Sequence, residues 1–158
     1  MHTREAIIDD LPQLVALGRQ LLEMHLTYDP EYYLLEDNFD ELFGNWIKGE
    51  FDKPNSLLMV AEETEPEKKI IGFISGFIKY LYPWFRTKNV GHIGYLIVDP
   101  TFRQKGVGKT LSQAADNWFK AKNVSYIEVY TDEKNQIGQF AWDAYGFLPF
   151  KKFLRKKI

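Results

Sequence analysis

The sequence predicts a mixed α/β fold in which helices cover both faces of one sheet. Three observations predict it. Ile70–Tyr80 is apolar at both parities, as a strand covered on two sides would be. Leu11, Leu14, Val15, Gly18, Leu21, Leu22 and His25 share one helical face, and Val107, Leu111, Ala114, Ala115 and Trp118 share another. Strand-like and helix-like segments interleave along 158 residues without a repeat, a low-complexity tract or a linker, which suits a single domain over residues 1–158.

In chain order, residues 3–8 read as a first strand. Asp9 or Asp10 can cap the next helix, with Pro12 in its first turn, and Tyr28-Asp29-Pro30 ends it. A second helix is expected from Leu35 to Glu50, with Phe39, Leu42, Phe43, Trp46 and Ile47 inward; Pro54 and Asn55 break it. Ser56–Glu62 is strand-like, and Glu63–Lys68, with Pro66, is a turn. The central strand Ile70–Tyr80 leads through an aromatic loop (Tyr82, Trp84, Phe85) to a strand at Val90–Val98, closed by Asp99-Pro100. A helix at Gly106–Lys120, a strand at Val124–Thr131, a helix at Gln136–Tyr145 and a last strand at Phe147–Lys157, bent near Pro149, complete the order β-α-α-β-β-β-α-β-α-β.

Bulk properties narrow the function. There is no cysteine, so thiolate metal sites and disulfides are excluded, and no metal is expected. A net charge of −2 gives no footprint for nucleic acid. No apolar run approaches the roughly 20 residues of a membrane span, and Met1–Asp10 lacks the apolar region of a signal peptide. A cytoplasmic protein without membrane association is the expectation.

Chemistry concentrates in Val98-Asp99-Pro100-Thr101-Phe102-Arg103-Gln104-Lys105-Gly106-Val107-Gly108-Lys109, between a strand and an amphipathic helix. Helix N-termini attract Asp or Glu because the macrodipole is positive there. None lies between Pro100 and Ala115; Arg103, Lys105 and Lys109 stand there instead. Cations stacked on a positive dipole end call for an anion among them. Gly106 and Gly108 let it approach the backbone, so the segment reads as a phosphate cradle. The plainer alternative is a solvated turn with incidental lysines. Gly108-Lys109-Thr110 looks like the tail of a Walker A loop, but that motif needs a glycine where Arg103 stands.

Arg103-x-x-Gly106-x-Gly108 instead resembles the [QR]-x-x-G-x-[GA] signature of the GNAT acetyltransferases. A second element, Asn135-x-x-Gly138-x-x-Ala141-Trp142-x-x-x-Gly146-Phe147, resembles that family's N-x-x-A-x-x-[FL]-Y-x-x-x-G-F pattern. The order of strands and helices is similar across essentially the whole chain. The resemblance implies a twisted, mostly antiparallel mixed sheet of six to seven strands, and transfer of the acetyl group of acetyl-CoA to a primary amine.

Residue by residue, the resemblance implies that backbone groups of Leu96, Ile97 and Val98 pair with the pantetheine arm. It assigns the pyrophosphate to the N–H groups from Gln104 through Lys105, Gly106, Val107 and Gly108 to Lys109, beside Arg103, and gives Asn135 a contact with the cofactor arm. Val98 N–H becomes the oxyanion donor. Some members carry a glutamate base eleven residues before the first motif position; here that position is His92, read either as a base or as a strand histidine. The family's usual acid is a tyrosine where this chain has Trp142, whose indole is not a practical proton donor. Tyr145, about one turn on, is either a substitute acid or a core residue.

Asp29, Glu31, Glu36, Asp37, Asp40 and Glu41 lie between Thr27 and Ile47 without a Lys or Arg among them, interleaved with Tyr28, Tyr32 and Tyr33. This stretch reads as an acidic, aromatic lip for a cationic amine or as the solvated face of the second helix. The tail, with Lys151, Lys152, Arg155, Lys156 and Lys157, reads as a solvated strand end. A homodimer is compatible with the resemblance. The competing function is a non-catalytic acyl-CoA-binding or regulatory module of the same fold.

Overall fold

A computed structural model describes residues 1–158. Five strands, β1 (His2–Glu5), β2 (Ser56–Glu63), β3 (Lys69–Tyr80), β4 (Asn89–Val98) and β5 (Ile127–Val129), lie side by side in chain order. The first four pair antiparallel in succession, and β5 joins β4 in parallel. The helices are α1 (Leu11–His25), α2 (Phe39–Phe51), α3 (Val107–Ala121) and α4 (Gln136–Ala144).

Two cores explain the doubly apolar central strand. Phe73 of β3 and Ile97 of β4 pack with Leu14, Leu17, Phe39, Phe43 and Ile47 of α1 and α2. Ile74 and Ile93 point the other way, into Val107, Leu111, Ala115 and Phe119 of α3. Each such Val, Leu, Ile or Phe side chain contributes about 1.5–3 kcal/mol on burial. Trp142 of α4 and Phe147 pack at the margin of this second core.

The β1 end is fastened by charge. The Arg4 guanidinium donates to both carboxylate oxygens of Asp10, at 2.7 and 2.9 Å, and to Glu62 at 2.7 Å. Asp10 also accepts the N–H of Ile7 at 2.9 Å. It therefore locks the entry to α1 rather than capping that helix with its side chain.

Four expectations are corrected. The sheet has five strands, not six or seven. The last strand does not form: residues 149–158 have no regular secondary structure, pair with no strand and leave Phe150, Phe153 and Leu154 exposed. Pro149 lacks an N–H, and Lys152 and Lys156 fall on the same parity as Phe150 and Leu154, so neither face of this stretch is continuously apolar. The second helix starts at Phe39 instead of Leu35, because Leu35 packs against the core from a loop. The strand expected at Val124–Thr131 contracts to three residues, since β4 and β5 part company beyond Ile93 and Val129.

Candidate active site

The parting of β4 and β5 opens the sheet beside the basic loop. On β4, Gly94 is an extra residue: Ile93 faces Gly76 and Tyr95 faces Ser75, with no partner left for Gly94. Beyond it, β4 is paired on one side only. Asp99 N–H donates to the Ile71 carbonyl at 2.9 Å. Antiparallel pairing alternates, so Ile97 and Tyr95 also turn their backbone groups toward β3, whereas those of Leu96 and Val98 face the open side. The side chains of Leu96 and Val98 pack meanwhile against the α3 core.

The turn after β4 is built around Asp99. Its carboxylate accepts the Thr101 N–H at 2.9 Å, the Thr101 hydroxyl at 2.7 Å and the Lys69 ammonium at 2.7 Å. Burial works against its charged form, but these bonds outweigh it and hold the carboxyl at about 2. Arg103 then folds back, its Nε donating to the Val98 carbonyl at 3.3 Å. Gln104, at φ 60°, and Gly106, at φ 82°, bend the chain into the start of α3.

The result is a row of unused donors. The backbone N–H groups of Gln104, Lys105, Gly106, Val107, Gly108 and Lys109 reach no acceptor within the protein. Val107, Gly108 and Lys109 belong to the first turn of α3, where such groups are orphaned and the dipole is positive. Arg103, Lys105 and Lys109 are exposed and pair with no carboxylate. Lys105 rests its ammonium 4.9 Å from the Phe102 ring centre. The segment read as a cradle from the sequence has open space at Gly106, around which no atom lies near the missing side chain.

The helix α4 closes this end. Asn135 caps it, its side-chain oxygen accepting the Gly138 N–H at 2.9 Å. Trp142 is wedged edge-on between Tyr145 and Phe147 at 5.8 and 5.2 Å, a packing role. The Tyr145 hydroxyl reaches Gly108, on the cradle side, and burial pushes its pKa up.

His92 sits at the other end of the opening, on β4, beside Glu128 of β5 and opposite Phe77 of β3. Its ring lies between Phe77 and Tyr130, with centres 5.0 and 4.8 Å away. Burial lowers its pKa; Glu128 partly restores it and Lys79 opposes that. Nearby Ser75, 2% exposed, has a hydroxyl with no hydrogen-bond partner, beside the Gly94 bulge.

The linker between α1 and α2 approaches from above. Tyr33 donates to Asp132 at 3.1 Å, and the Lys134 ammonium reaches the Tyr28 carbonyl at 2.6 Å. Burial, then the Asp132 bond and charge, push Tyr33 up to about 12. The acidic stretch is less open than its composition implies. Asp29 pairs with Arg155 and Glu31 with Lys157 of the tail, and Arg155 lies 4.7 Å over Tyr32. Asp40 pairs with Arg19. The tail was not anticipated there, because its charges meet the linker 126 residues away in sequence. Glu128, Lys79 and Ser75 were also missed; the alternation Ile127-Glu128-Val129 was the available signal for Glu128.

Comparisons with known proteins agree with this geometry. A sequence model of the acetyltransferase (GNAT) family matches residues 19–147. An acetyl transferase of rice (Oryza sativa subsp. japonica) is 28% identical over 109 residues, 63% of this chain and 25% of that protein. A probable N-acetyltransferase of Arabidopsis thaliana is 28% identical over 119 residues, 61% of this chain and 29% of that protein. The chain therefore spans about a quarter of the length of these curated relatives. A tetramutant of the BH1408 protein from Bacillus halodurans superposes with a TM-score of 0.88 at 21% identity, over 100% of both chains. The aminoglycoside antibiotic 6'-N-acetyltransferase of Acinetobacter haemolyticus gives 0.78 at 19%, over 100% of this chain and 99% of that one. A predicted acetyltransferase with acetyl-CoA from Clostridium acetobutylicum gives 0.76 at 20%, over 99% and 95%. At these identities the structures share the fold.

Proposed function

The chain belongs to the acetyltransferase (GNAT) family, and from that premise we propose that it transfers the acetyl group of acetyl-CoA to a primary, cationic amine by direct attack in a ternary complex. The observation that carries this reading is the row of six free N–H groups from Gln104 to Lys109, at a helix start flanked by unpaired cations and opening beside the one-sided end of β4. Backbone groups of that kind suit a pyrophosphate, and the outward amide groups of Leu96 and Val98 suit an extended amide-bearing arm.

The chemistry asked of the chain is modest. The amine nitrogen attacks the thioester carbonyl, the carbon–sulfur bond breaks, and the thiolate leaves. The amine must lose a proton, and His92, neutral above its depressed pKa, can accept it directly or through water. Val98 N–H, unpaired toward the opening, is the donor we assign to the oxyanion. Tyr145 is the remaining candidate for protonating the sulfur; its position against Gly108 is equally that of a packing residue. No helix is long and apolar enough to cross a membrane.

A second reading, a non-catalytic acyl-CoA-binding module, is favoured by Trp142, which occupies the family's acid position as a packed ring. An acceptor screen with acetyl-CoA, following release of free CoA thiol, separates the two. Turnover with a cationic amine supports the enzyme; tight acetyl-CoA binding with no acceptor responding supports the module. His92→Ala should slow turnover by roughly 10²-fold and remove the acidic limb of the pH profile. An unchanged profile would return His92 to the status of a strand residue.

A further inference from the structure

The His92 imidazole has one nitrogen sealed inside the protein. Nδ1 is buried and has no hydrogen-bond partner, while the side chain as a whole remains 12% exposed. Its contact with solvent is therefore at the rest of the ring. Leaving a ring nitrogen dry and unbonded is costly, and a carboxylate oxygen stands near it: Glu128 Oε1, 3.6 Å away on the adjoining strand. That is beyond hydrogen-bond range, and such contacts are commonly loose before substrate binds.

Glu128 is itself held. The same Oε1 accepts the Lys79 ammonium at 2.6 Å, and Lys79 also reaches the Tyr130 hydroxyl at 3.3 Å. Burial disfavours the charged carboxylate, but Lys79, His92 and Lys151 outweigh that and keep it ionised. Three strands thus contribute one arrangement: Lys79 from β3, His92 from β4 and Glu128 from β5, with Tyr130 just past the end of β5. The ring is already flanked by Phe77 and Tyr130, and Glu128 lies directly opposite His92 in the β4–β5 register.

We propose that Glu128 is a positioning residue for His92: its carboxylate takes the Nδ1–H, selecting the tautomer whose Nε2 is left free to receive the proton of the attacking amine. Lys79 is the tether that keeps the carboxylate aimed at Nδ1. The proposal rests on His92 acting as the base. The alternative is a Glu128–Lys79 ion pair that merely closes the sheet, with His92 as a spacer between two aromatic rings.

Two measurements on the whole chain decide it. The first is the nitrogen-15 spectrum of the His92 ring in the wild type and in Glu128→Gln. The expected result is a protonated Nδ1 at neutral pH in the wild type and a mixture of tautomers in the variant; a protonated Nε2 in the wild type overturns the proposal. The second is the pH profile of kcat/KM with the amine that responds in the acceptor screen. Loss of the Glu128 charge removes what favours the imidazolium, so Glu128→Gln should move the acidic limb to lower pH. It should also lower kcat by about 10-fold, since a neutral amide orients the ring less firmly. Lys79→Met removes an opposing charge and should move the limb to higher pH. Limbs that stay put, or shift in the same direction in both variants, overturn the proposal even if the variants lose stability. If no amine is turned over yet Nδ1–H depends on Glu128, the function reading fails while the Glu128–His92 bond stands.

Discussion

The Tyr145 hydroxyl lies against the α-carbon of Gly108, so a methyl group placed on Gly108 would run into it. The family signature accepts alanine at this position; in this chain the tyrosine opposes it. Gly108→Ala should destabilise the fold by about 1–3 kcal/mol, the cost of overpacking a closed contact. Tyr145→Phe, which removes the obstructing oxygen, should restore part of the loss in the double variant. Denaturant titration of the four proteins checks this, and strict additivity would refute the contact. Tyr145→Phe alone also tests the sulfur-protonation role: wild-type kcat leaves the thiolate departing unaided, and a large loss makes Tyr145 the acid.

Gly106 stands at φ 82° in the middle of the donor row. Gly106→Glu should abolish acetyl-CoA binding, because it strains the backbone and sets a negative charge where phosphate is expected. Calorimetry is the measurement, with ATP as a ligand expected not to bind. Unchanged acetyl-CoA affinity would remove the cradle from the proposal.

Asp99 links the cradle to acid stability. Its pKa, about 2 against an ordinary 3.8, makes it a group whose stabilisation is fully present above the ordinary value and is lost as pH falls toward 2. The difference corresponds to about 2 kcal/mol. Unfolding free energies measured between pH 5 and pH 2 should fall by at least that increment in the wild type, since Asp10, Glu62 and Glu128 are also held down. In Asp99→Asn the fall should be smaller by the same amount, the loss being present already at neutral pH.

The tail makes a prediction about the acceptor. Arg155 and Lys157 occupy Asp29 and Glu31, two of the carboxylates proposed to meet a cationic amine. Removing residues 150–158 should lower the acceptor KM at low ionic strength and leave acetyl-CoA affinity unchanged. The effect should shrink as salt screens these exposed charges. Neutralising Glu31, Glu36 and Asp37 together should raise the acceptor KM; if it does not move, the acidic stretch is a solvated face.

What could be read from the chain, and what could not, divides along sequence distance. The exposed basic residues at the start of α3 were legible because the dipole argument, the glycines and the cations all fall within seven consecutive positions, Arg103–Lys109. The two-sided cores were legible because helical and central-strand patterns are periodic. The tail's path was not: Phe147–Lys157 reads as a last strand, whereas Arg155 and Lys157 pair with the linker far away in sequence. His92 was legible by position but its neighbour was not, since the register of a parallel pair has no trace in local sequence. Asn135 was read by resemblance as a cofactor contact; the bond it makes in this fold is a helix cap, a role its residue type also allowed.

Gly94 sets the phase of β4. His92 and Tyr95 are three positions apart, an odd number, yet their partners Phe77 and Ser75 are two apart and share a face of β3. A regular strand would have sent one of these side chains to each face of the sheet. The single inserted residue therefore acts as a half-step in the pleat: it lets His92 and Tyr95 look to the same side while Leu96 and Val98 keep their amides toward the gap. Removing Gly94 would leave every residue type of the site in place and misalign the two halves of it, an error of frame instead of chemistry.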